Sequence, residues 1–157
     1  MKRWGIYAMM LLSLCALCAC GQGAKTEEGF SQELVTQLVE QGAFSEELEA
    51  LDEDTTFLLY RFADYGVERE DLVSSSVIRS TGATCEEAAV LLWKDNETAG
   101  KALEAINDYV EDRTIENEQY RPNEMPKLHN ARIGIKGNTL LLVVANDSMI
   151  VSEVLQK

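Results

Sequence analysis

From Trp4 to Ala19 the chain carries no charged residue, and the run follows Lys2 and Arg3. This feature restricts the fold most, because it decides which residues are left to build one. Its 16 uncharged residues fall short of the roughly 20 that carry a helix across a bilayer. The length suits the apolar region of a secretory signal peptide behind a short basic start. From Gly21 to Gly29 the sequence turns small and polar, as a flexible tether does. Three of the chain's four cysteines, Cys15, Cys18 and Cys20, sit where the apolar run ends.

That ending, Leu17-Cys18-Ala19-Cys20, resembles the bacterial lipobox: Leu, a small residue, Ala or Gly, then Cys. Cys18 departs mildly from the Ala, Ser, Thr or Val usual at the second position, but it is small and apolar enough to serve there. The resemblance implies a diacylglyceryl group on the thiol of Cys20 and cleavage between Ala19 and Cys20. One acyl chain binds a membrane marginally, whereas two anchor it stably. The expected organisation is a lipoprotein signal peptide over residues 1–19, a lipidated Cys20 with its tether over 20–30, and a single globular domain over 31–157. The expected location is the extracytoplasmic face of the cell membrane. The other readings are an uncleaved anchor or a metal cluster. A Cys-x-x-Cys-x-Cys metal site needs a folded polar scaffold, and these cysteines lie in an apolar targeting segment.

Removing residues 1–19 leaves 138 of the 157, about one domain. Of the 14 basic residues, 12 then face 27 acidic ones, a formal net charge of −15. Such a chain repels nucleic acid, and its charge serves to keep it soluble. Only Cys85 is left as a free thiol, so no internal disulfide can form and the domain must hold by its core alone. Standing alone, Cys85 reads as an inert small residue.

Along the chain, Leu34, Val35, Leu38 and Val39 recur at helical spacing between Ser31 and Gly42. Ser45 with Glu46 and Glu47 predicts a further helix start. Phe57 to Phe62 reads as a helical turn on the core. Residues 71–80 are rich in β-branched and small residues and predict a strand ended by Gly82. Residues 84–94 fit a capped helix and a buried strand equally well by periodicity. Asp95 or Asn96 caps a long helix carrying Ala99, Ala102, Leu103, Ile106, Tyr109 and Val110 on one face. Pro122 and Pro126 bracket a predicted loop. Ala131 to Lys136 alternates as a strand, Gly137-Asn138 is a hairpin turn signal, and Thr139 to Val144 returns as a buried strand. Asn146 or Asp147 caps a last short helix. The order predicts an α+β domain: a two-layer sandwich with a mainly antiparallel four-stranded sheet in ββαββα order, helices on one face, and further helices at the N-terminus.

Residues able to carry chemistry are sparse. His129 is the sole histidine, and nothing in the spacing brings it to Cys85 as a base to a nucleophile. No Gly-x-Ser-x-Gly elbow or phosphate loop occurs. The mature chain lacks the ligands of a zinc site, and Asp52-Glu53-Asp54 lacks EF-hand spacing. No cofactor, metal or catalytic residue is expected. The carboxylates read as a solvated acidic face.

The motifs Asp71-Leu72-Val73-Ser74-Ser75-Ser76, Gly82-Ala83, Glu86-Glu87-Ala88 and Lys94-Asp95 together resemble the domain-of-unknown-function family 4358. So do Arg113, Tyr120-x-Pro122, Lys127-Leu128-x-Asn130-Ala131, and Gly137 to Leu140 with Leu142-Val143-Val144. The resemblance implies a small lipoprotein of Gram-positive bacteria with an α+β domain, and it tips residues 86–94 towards a strand. It implies no activity. Leu91-Leu92-Trp93 stands where a charge often interrupts that strand, which makes Trp93 a candidate contact residue if exposed, and an edge aromatic of the core if not. Two functional classes follow. The first is a non-catalytic binding or accessory module, anchored to the membrane at Cys20 and acting on an envelope protein or peptide. The second is a carboxylate-dependent envelope hydrolase.

Overall fold

The computed structural model describes residues 29–156. Among them, five strands form one antiparallel sheet. Helix α1 (Glu33–Glu40) comes first, and Gly42 at φ 77° closes it. Strand β1 (Glu49–Leu51), helix α2 (Glu53–Leu59) and two 3-10 turns at Phe62–Tyr65 and Arg69–Asp71 lead into β2 (Leu72–Arg79). Then follow β3 (Glu87–Trp93), the long α3 (Asn96–Tyr120), a 3-10 turn at Pro122–Glu124, and α4 (Met125–His129). The hairpin β4 (Arg132–Lys136) and β5 (Thr139–Val144) and the terminal α5 (Ser148–Leu155) complete the fold. No helix among the described residues is long and apolar enough to cross a membrane.

The strand order is β1-β2-β3-β5-β4. β3 and β5 lie at the centre, which explains their unbroken apolar sequences. Successive side chains of a strand point to opposite faces, and here both faces are covered. On one face Ala89, Leu91, Trp93, Leu140 and Leu142 pack with Phe57, Tyr60, Phe62, Ala102 and Ile106. On the other, Ala88, Val90, Leu141 and Val143 pack with Val35 and Leu38 of α1 and Val151 and Val154 of α5. A strand buried on both faces reads as a continuous apolar run rather than an alternating one.

Four expectations are corrected. The sheet has five strands rather than four, because Glu49–Leu51 adds an edge strand to Val77–Arg79. Helices lie on both faces rather than one, because α1 and α5 bury the second face. The predicted helix start at Ser45 is absent: the Ser45 backbone N–H and hydroxyl both donate to the carboxylate of Glu86, which holds that segment extended toward β1. Between Pro122 and Pro126 the predicted loop is a 3-10 turn running into α4, with Pro126 in the first helical turn, where a missing N–H costs nothing.

The caps of α3 and α5 fall where the sequence predicts, and that of α2 is one it did not predict. Asp95 accepts from Thr98 N at 2.8 Å to open α3, and Asp147 accepts from Met149 N and Ile150 N to open α5. Asp52 accepts from Thr55 N at 2.7 Å to open α2. In the β4–β5 hairpin, Gly137 takes φ 55° at the first turn position, a conformation that glycine adopts without strain. Asn138 then ties the turn to β3, accepting from Trp93 N through its carbonyl at 2.9 Å.

Candidate functional site

The sheet has two distinct ends. At the hairpin end lie Leu72, Trp93 and Thr139. Phe30 is held there: Phe30 N donates to Thr139 Oγ1 at 2.7 Å, and Lys136 Nζ lies 5.5 Å above the Phe30 ring. Asp71 and Lys94 form a 2.6 Å ion pair at the same end, which holds the Asp71 carboxyl below its usual range. At the opposite end β2 finishes at Arg79 and β3 starts at Glu87, directly across from it. Six residue steps of β3 separate the two ends, about 20 Å at the rise of a strand.

The far end holds two buried carboxylates side by side in sequence. Glu86 and Glu87 are 1% and 2% exposed. Adjacent residues of extended chain point opposite ways, and the two carboxylates have separate partners. Glu87 accepts from the Tyr60 phenol and, at 2.7 Å, from the Tyr109 phenol. The rings of Tyr60 and Tyr109 meet edge-on at 4.9 Å. Burial raises the pKa of Glu87 and, with the neighbouring carboxylate, those of both phenols. Glu86 accepts from Ser45 on the α1 side, and Lys127 Nζ of α4 lies 2.8 Å from its Oε1. Lys127 also reaches Glu124 at 3.0 Å. Burial pulls the Lys127 ammonium down, and the hydrogen bonds to Glu86 and Glu124 outweigh it, holding its pKa above the usual value.

Cys85 is buried beside this group. Its N–H donates to Glu124 Oε2 at 2.9 Å, and burial, followed by the hydrogen bond to Glu124, pushes its thiol up to about 12. A thiol so raised carries almost no thiolate near neutral pH, and the thiolate is the nucleophile. His129 lies exposed at the end of α4. Glu53 and Asp54 are both taken by the Arg69 guanidinium, at 2.7 and 2.6 Å. No cluster of three metal-ligating side chains occurs among the described residues.

Trp93, the candidate contact residue, is fully buried. It belongs to the odd-numbered face of β3 and stacks edge-on against Phe62 at 4.8 Å, under α3. It presents no surface to a partner, and the structure gives it the core role instead. Cys20 lies outside the described residues, as do the expected signal peptide over residues 1–19 and most of the expected tether over 20–30.

A hollow of about 340 Å³ opens at the far end of the sheet, lined by Glu49, Leu51, Arg79, Ser80, Thr81 and Gly82. Sequence reasoning missed it. β1 is only three residues long and two of them are exposed, so it lacks the apolar pattern that marks a strand. The one available signal was Arg79 itself, in register with the core-facing Val77 two residues earlier.

A family model described as a domain of unknown function, DUF4358, matches residues 63–145. The match runs from the first 3-10 turn to just past β5, so it takes in four of the five strands, α3 and α4. No curated protein and no solved structure gives a significant match.

Proposed function

Since the chain belongs to the DUF4358 family, which carries no assigned activity, we propose that it is a membrane-anchored extracytoplasmic lipoprotein whose domain is a non-catalytic binding or accessory module. The anchor is the lipidated Cys20, and the partner is an envelope protein, a peptide or a small ligand. The observation that carries this reading is the sequence Leu17-Cys18-Ala19-Cys20 behind a charge-free run and ahead of a polar tether. The geometry is compatible with it. Phe30, ten residues beyond Cys20, is held beside Thr139. The hollow lined by Arg79 lies at the other end of the sheet. Two acyl chains on Cys20 supply stable attachment, and the acidic domain is repelled by an anionic headgroup surface. The alternative reading is a carboxylate-dependent envelope hydrolase; Glu86 and Glu87 do not supply its pair, because they diverge and each is occupied by its own donors.

The test is fractionation of a Gram-positive host expressing the wild type and Cys20→Ser. The wild type should partition with membranes and incorporate labelled fatty acid, and the variant should lose the label. A variant that still cleaves its leader and stays in the membrane overturns the anchor.

A further inference from the structure

Arg79 is the one arginine among the described residues that neither pairs with a carboxylate nor donates a hydrogen bond. The others each do: Arg61 to Asp64, Arg69 to Glu53 and Asp54, Arg113 to Glu116, Arg121 to the Gly82 carbonyl, and Arg132 to the Asn130 carbonyl. A chain with 27 acidic residues does not lack candidates for it. Arg79 even stands in register between two carboxylates, Glu49 on β1 and Glu87 on β3. Glu87 takes its hydrogen bonds from the two phenols, and Arg79 acts on it through charge alone, opposing the rise that burial gives its pKa. Glu49, which shares the hollow with Arg79, makes no ion pair or hydrogen bond either.

The Nε of Arg79 is buried and without an acceptor. A guanidinium presents its N–H groups as a planar fork that fits a carboxylate with two parallel hydrogen bonds. Glu49 at the rim disfavours polyanions and suits an ammonium or amide N–H. The volume, about 340 Å³, sits at the small end of ligand pockets.

We infer that this hollow is a binding site for a short zwitterionic ligand, an amino acid or small peptide, whose carboxylate seats on Arg79 and whose ammonium faces Glu49. The inference rests on the binding-module reading above, but not on the anchor at Cys20.

The probe is dialanine, titrated by calorimetry into the full chain purified in detergent, alongside dialanine amide, N-acetyl-dialanine and inorganic phosphate. Dialanine should bind. The amide, which lacks the carboxylate, should bind at least about 10-fold more weakly, as should Arg79→Gln. Glu49→Gln and N-acetylation should each weaken binding and should not add. Because the amide arm uses the unaltered protein, it stands even if Arg79→Gln folds poorly. Absence of dialanine binding, binding unchanged by amidation, or phosphate binding tighter than dialanine overturns the inference. Cys20→Ser fractionation, read separately, decides the anchor.

Discussion

Glu87 shows how a single side chain sets both stability and its pH response. It sits under α3 with two phenols as its donors, and burial raises its pKa. A carboxyl whose folded pKa lies above its unfolded value favours the fold most when protonated. Its contribution is therefore complete below the unfolded pKa and is lost as pH rises through the folded pKa. Glu87→Gln keeps the shape and cannot ionise. The stability of the wild type relative to Glu87→Gln should fall as pH is raised from about 4 to about 8, measured by urea unfolding at each pH. The differential removes the opposite trend of Asp71, whose pKa is lowered by Lys94. If the difference is flat, Glu87 titrates as an ordinary surface acid. None of this was legible in the sequence, where Glu86-Glu87 reads as two more acids in an acidic chain. Their burial depends on Tyr60 and Tyr109, which lie 27 and 22 residues from Glu87.

Among the elements, β3 and β5 separate what periodicity can say from what it cannot. Leu141 and Leu142 are adjacent, and both are fully buried, against α1 and α5 on one side and α3 on the other. In a two-layer sandwich one of the pair would face water. Leu141→Ala and Leu142→Ala should therefore each cost about 2–5 kcal/mol in chemical denaturation. A near-neutral Leu141→Ala would mean that the second helical layer contributes little. The strands, the hairpin turn and the long helix were readable because each carries a local signature: the apolar run, Gly137-Asn138, and Asp95 ahead of a 3,4 pattern. The third layer was not readable, because α1 and α5 stand at opposite ends of the sequence and only the fold brings Val35 and Leu38 beside Val151 and Val154. Strand β1 was missed for a different reason. Its pairing with Val77–Arg79 is non-local, and three residues carry no period.

For the whole molecule, charge dominates. The chain has 27 acidic residues against 14 basic, and its exposed ion pairs, such as Arg61–Asp64, contribute little each. Mutual repulsion of like charges opposes the compact state. The Debye length shortens from about 30 Å at 0.01 M to about 8 Å at 0.15 M salt. The thermal midpoint should accordingly rise over that range of sodium chloride, read by calorimetry. A fall would mean that the favourable pairs, Lys127 with Glu86 and Lys94 with Asp71, outweigh the net repulsion. The prediction belongs to this scale because no single acid accounts for it.

The hold on Phe30 has a mechanical meaning. A pull transmitted along the preceding residues meets first the Phe30–Thr139 hydrogen bond and the Phe30 ring held under Lys136. Thr139 begins β5, an interior strand bonded on both edges. Traction on the polypeptide is thus delivered to an interior strand before it reaches α1, which holds the sheet by its packing face and by Gln32 Nε2 at its N-cap, donating to Ser74 Oγ at 2.6 Å. The latch at Phe30 acts as a strain relief, sparing the outer layer from being peeled off when the domain is tugged from that end.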